Sequence, residues 1–85
     1  MAAPDFSHLA PETADRLTRS QQVALLLMHE SQLLSQVSTR LPLSTFKVLR
    51  NKGLAKSRDE REWLLTEFGR QVQQVLMDRG ASALG

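Results

Sequence analysis

Cysteine is absent from the 85 residues. That excludes a disulfide, a thiolate zinc site and a cysteine nucleophile. A small uncrosslinked fold of this kind suits a reducing cytoplasm. Long apolar runs are lacking too. The longest, Val23 to Met28, is too short to span a bilayer, so no membrane partner is expected. Met1-Ala2-Ala3-Pro4-Asp5 offers neither a basic nor an apolar leader segment, and no signal peptide is expected. The four glycines are scattered and form no glycine-rich phosphate loop. His8 and His29 lie far apart, with no Asp or Glu at metal-ligand spacing, and read as ordinary imidazoles. Ser7, Ser20 and Ser31 have no neighbouring base or oxyanion context. The expectation is a chain without metal, cofactor or catalytic residues, and so not an enzyme.

What is present is a globular composition, 41% hydrophobic and 24% charged, over a length that fits one domain. A domain of this size buries only about 60–65% of its unfolded surface, so its stability margin is thin. The net charge of +2 is unevenly spread. Arg40, Lys47, Arg50, Lys52, Lys56, Arg58 and Arg61 face only Asp59 and Glu60, so this middle segment carries +5 and the remainder −3. A basic middle between acidic flanks suggests a face for a polyanion. The plain alternative is a solvated helix and loop that happen to be basic.

Residues 1–17, with Pro4 and Pro11 and few apolar groups, read as a partly flexible N-terminal arm. A helix can extend over Glu12 to Thr18, with Pro11 suited to its first turn. Residues 18–80 read as the folded domain and 81–85 as a flexible tail. The spacing of Val23, Leu26 and Leu27 predicts a first firm helix from about Ser20 to His29, capped by Thr18 or Ser20. Leu33, Val37 and Leu41, four apart, predict a second from about Gln32 to Thr39, closed by Pro42. Leu43, Phe46 and Leu49 define the buried side of a third, from about Leu43 to Lys52, stopped by Gly53. Leu54 to Ser57 and Glu62 to Leu65 read as two short strands, joined by a turn over Arg58-Asp59-Glu60-Arg61. Thr66 caps a last helix from about Glu67 to Arg79, buried through Phe68, Val72, Val75 and Leu76 and ended by Gly80.

Leu49-x-x-x-Gly53-Leu54, followed by Trp63-x-Leu65-Thr66-x-x-Gly69-Arg70, resembles the recognition-helix exit and wing of MarR-type winged helix regulators. The likeness covers about Leu41 to Val72. Each element has a local reason: Gly53 permits the turn that buries Leu49 with Leu54, and Gly69, without a side chain, lets its helix approach the hairpin. The wing is short, and Ser31 to Leu43 is compressed relative to a typical helix-turn-helix. The fold expected is mostly α with a small β-hairpin: a winged helix-turn-helix of three helices, a two-stranded wing and a C-terminal helix.

The resemblance implies a bacterial or phage transcriptional regulator that binds double-stranded DNA. Its recognition helix, about 43–52, would enter the major groove, and its wing, 54–65, would lie on backbone or minor groove. The residues placed on the DNA are Ser44, Thr45, Lys47, Val48, Arg50 and Asn51 from the helix and Lys56, Arg58 and Arg61 from the wing. Ser44 and Thr45 have helix capping as the rival role, and Trp63 has base stacking as a rival to core packing. Asp59 and Glu60 count against a strongly cationic tip. Such regulators usually pair, and Leu25, Met28, Val75 and Leu76, with Leu9 and Leu17, look like spare apolar surface for a homodimer. The alternative is a protein-interaction module on the same fold, for example a phage-encoded protein that binds and inhibits or recruits a host protein.

Overall fold

A computed structural model describes residues 8–81. Among these the chain forms five helices and one three-stranded antiparallel sheet. In order they are α1 (Ala10–Asp15), α2 (Arg19–Leu27), β1 (Leu34–Ser35), α3 (Gln36–Thr39), α4 (Leu43–Asn51), β2 (Ala55–Arg58), β3 (Glu62–Leu65) and α5 (Glu67–Asp78). The fold is mixed α/β, with the sheet ordered β1-β3-β2. The expected flexibility of the tail and of the extreme arm falls largely outside the described residues, on 1–7 and 82–85.

The helix expected over about Gln32 to Thr39 is corrected to a two-residue strand and a single helical turn. Leu34 pairs with Trp63 and Ser35 with Glu62, so this stretch completes the sheet instead of coiling. The Gln36 N–H then donates to the Arg61 carbonyl at 2.9 Å, anchoring α3 to the hairpin turn. Val37, expected on a buried stripe, is 76% exposed. A helix of four residues has too few bonds to hold itself, so this tertiary anchoring decides the geometry. Arg40 ends the turn at φ 60, the left-handed conformation that glycine normally supplies. The Thr39 hydroxyl accepts from the Leu41 N–H at 3.1 Å, and Gln36 Nε2 donates to the Leu41 carbonyl.

Caps place the remaining ends. The Thr18 hydroxyl accepts from the Gln21 N–H at 3.2 Å while the Gln21 side chain accepts from the Thr18 N–H at 3.1 Å, a capping box for α2. Gly53, at φ +79, closes α4: its N–H reaches the Arg50 carbonyl and the Leu54 N–H the Leu49 carbonyl, with Leu49 and Leu54 buried together. The Thr66 hydroxyl accepts from the Gly69 N–H at 2.9 Å at the start of α5 and donates to the Gly53 carbonyl at 2.6 Å. One hydroxyl thus joins the exit of α4 to the entrance of α5. Gly69 is buried at the closest approach of α5 to the chain leaving α4.

The core gathers Leu25 and Met28, Phe46 and Leu49 of α4, Leu54 and Ala55, Trp63 and Leu65 of β3, and Val72 and Leu76 of α5. Trp63 is its centre, fully buried, with its ring 5.5 Å from that of Phe46. Base stacking by Trp63 is therefore closed off. The latter part of the arm is docked: α1 lies on α5, with Ala10, Ala14 and Leu17 buried and Asp15 paired with Arg79. This corrects most of the spare apolar surface expected for a homodimer, of which Leu9 stays exposed. Leu17, Leu25, Met28 and Leu76 belong to the chain's own core, and Val75 is half-buried against it. No helix among the described residues is long and apolar enough to cross a membrane.

Candidate nucleic-acid interface

Helix α4 is amphipathic because Phe46 and Leu49, three apart, are drawn into the core beside Trp63. That fixes what points away. Ser44 and Asn51 are exposed, and Lys47 and Val48 are half-exposed on the same side. Thr45 is corrected: only 8% of it reaches solvent, so it belongs to the inner face and not to a contact surface. Neither Ser44 nor Thr45 caps the helix. Pro42 is the N-cap residue, and no side chain closes that end. The Thr45 N–H instead turns back to the Pro42 carbonyl at 3.1 Å.

The hairpin supplies the second part of the surface. Strand β2 is a sheet edge, paired to β3 through Ala55↔Leu65, Lys56↔Leu64, Ser57↔Trp63 and Arg58↔Glu62. Alternation along β2 buries Ala55 and exposes Lys56 and Arg58 on the opposite face. The Arg61 N–H donates to the Arg58 carbonyl at 3.1 Å, and Asp59 and Glu60 both have positive φ, 55 and 57. This is a type I′ turn, which matches the twist of the strands it joins. Arg61 is exposed at its end.

The turn folds toward α4. Glu60 places Oε1 3.1 Å from Arg50 Nη1 and Oε2 3.7 Å from Lys47 Nζ. The Arg50 guanidinium also lies over the Trp63 ring, 5.8 Å from its centroid. Its hydrogen bond, with the nearby Lys47 charge, holds the Glu60 carboxyl below the usual carboxylate range. In the sequence Glu60 reads only as an acid that weakens a cationic tip. Its link to two cations of α4 is tertiary, and no local spacing signals it.

Elsewhere the charges pair off: Arg16 with Glu12, Arg79 with Asp15, and Arg70 with both Glu67 and Glu30. The Arg70 guanidinium holds the Glu67 carboxyl low and is itself raised by that carboxylate. Among the described residues Arg19, Arg40, Lys52, Lys56, Arg58 and Arg61 take part in none of these ion pairs. Five of these six cations belong to the middle segment, so much of its basic excess is left to solvent. Structure brings Lys47, Arg50 and the hairpin turn together through Glu60. It leaves Lys56 and Arg58 on the outer face of the sheet edge.

Among the described residues no three His, Asp or Glu side chains gather to hold a metal, and no pocket opens. No family model matches the chain, and no curated protein and no solved structure matches it.

Proposed function

We propose that this chain is a winged helix-turn-helix protein that binds double-stranded DNA as a transcriptional regulator, with α4 in the major groove and the β2–β3 hairpin as the wing. The element order from α2 to β3 and the sheet order β1-β3-β2 are compatible with that layout. The observation that carries the reading is the row of exposed, unpaired cations, Lys56, Arg58 and Arg61, on the hairpin joined to the outward face of α4. Ser44, Lys47, Val48 and Asn51 are the side chains offered to base edges and phosphates. Two paired copies would set two α4 helices on half-sites about one helical turn apart. Among the described residues, the large apolar side chains exposed toward the two ends are Leu9 and Met77.

Titration of a labelled random-sequence duplex tests the reading. With about four phosphate contacts per chain, affinity falls roughly a hundredfold between about 50 and 200 mM salt. Arg58→Ala lowers the slope of log affinity against log salt by about 0.9. Absence of binding at the lowest salt, or binding indifferent to salt, removes the reading. The protein-interaction module is the second reading. Glu60 favours it by occupying two of the cations of α4, as does Val37, left 76% exposed on α3. A partner captured from lysate after nuclease treatment at high salt, without duplex binding, decides for it.

A further inference from the structure

Lys47 and Arg50 are three residues apart on α4 and converge on one carboxylate. Two cations aimed at two oxygens of a single group make the kind of seat a phosphate takes. Arg50 is further oriented by the Trp63 ring behind it. Glu60 fills the seat, and it does so from the third position of the turn, where its φ of 57 is a conformation glycine adopts without steric cost. The turn therefore has no need of glutamate there. What the side chain adds is the carboxylate. That carboxylate is half exposed, with about 51% of the side chain open to solvent, and exposed ion pairs are weak enough for another anion to displace.

We propose that Lys47 and Arg50 form a phosphate seat for the DNA backbone and that Glu60 is a built-in competitor which occupies it in the free protein. This rests on the DNA-binding reading above. The hairpin turn then limits the affinity of α4: backbone phosphate and the Glu60 carboxylate exclude one another at the same two cations. A carboxylate held ionised by Arg50 remains a competitor throughout the neutral range.

The test is duplex binding by the wild-type chain, Glu60→Gln and Glu60→Gly, with a random-sequence duplex at about 0.1 M salt. Glutamine keeps the shape and removes the charge; glycine suits the turn and guards against a fold lost through the substitution. Both variants should bind about tenfold tighter than wild type, with a salt slope steeper by about one phosphate. Adding Lys47→Ala to Glu60→Gln should abolish most of that gain. A wild type that binds while both variants bind equally or more weakly overturns the competitor and leaves the DNA reading standing. A lowered melting temperature with unchanged affinity does the same, and marks Glu60 as a structural clasp. No binding by any of the three overturns both.

Discussion

Replacing Gly69 by alanine sets two physical effects against each other at one atom. Gly69 lies in the first turn of α5, where alanine should stabilise the helix by up to about 1 kcal/mol through backbone entropy. An added Cβ, however, would stand 1.9 Å from the Leu54 carbonyl oxygen and 2.9 Å from its carbon. Reaching ordinary contact requires α5 to retreat by roughly 1.5 Å. The obstacle is backbone, so no rotamer relieves it. The retreat strains the Thr66 N–H bond to the same Leu54 carbonyl, 3.2 Å long, and loosens the packing of Leu54, Leu65 and Val72. Overpacking of this kind costs about 1–3 kcal/mol, and a compromised buried hydrogen bond about 1–3 more. After the helix gain the net loss is about 3 kcal/mol, a large share of a small domain's stability. Thermal unfolding followed by circular dichroism should show a melting temperature lower by about 12–24 °C. Gly80→Ala is the control: its Cβ meets open space, but φ is +86, so the loss is confined to about 1 kcal/mol of backbone strain. A Gly69→Ala chain as stable as wild type, or more so, refutes the close approach of α5 to the α4 exit.

Gln73 makes a second stability prediction. Its Nε2 donates to the Leu25 carbonyl at 2.9 Å and the Met28 carbonyl at 3.0 Å, closing the end of α2 from α5. Gln73→Ala should cost about 1–2 kcal/mol in denaturant unfolding, and Gln73→Glu more, because a carboxylate would face those oxygens. An unchanged midpoint would remove that cap from the account. Acid gives a third. Arg50 and Lys47 lower the Glu60 carboxyl from its ordinary 4.5, and Arg70 with Gln71 does the same for Glu67. Both groups bind protons more weakly folded than unfolded, so their stabilisation is present above 4.5 and is lost as pH falls through the lower folded values. Melting temperature measured from neutral to acid pH should hold to about 4.5 and then fall, and Glu60→Gln should reduce the fall. A stability that rises on acidification contradicts these pairings.

The parts of the fold legible in the sequence are those written in local chemistry. Thr18, Gly53, Thr66 and Gly80 mark helix ends because their caps close within a few residues. Phe46 and Leu49 orient α4 because an amphipathic face is visible as spacing. Gly69 was readable as a point of close approach, since nothing else calls for glycine inside a helix. β1 was not legible: two residues carry no periodicity, and their pairing with Trp63 and Glu62 comes from a distant part of the chain. The same strand turned Val37 outward, against its four-residue spacing from Leu33 and Leu41. Of the candidate contacts, Lys56 and Arg58 follow from strand alternation, whereas the burial of Thr45 and the capture of Lys47 and Arg50 by Glu60 depend on tertiary placement. Of the apolar residues read as a dimer surface, Leu17, Leu25, Met28 and Leu76 are core while Leu9 is exposed, and the docking of α1 on α5 is a layer that the arm, with its two prolines, does not announce.

The central claim is that α4 and the hairpin together form the face that meets DNA. Backbone amide shifts of the isotope-labelled protein, followed by NMR while a short duplex is added, test it residue by residue. The largest changes are expected at Ser44, Lys47, Val48 and Asn51 and at Lys56, Arg58 and Arg61, with α1 little affected. Shifts concentrated on α1 and the end of α5, or none at saturating duplex, would contradict it.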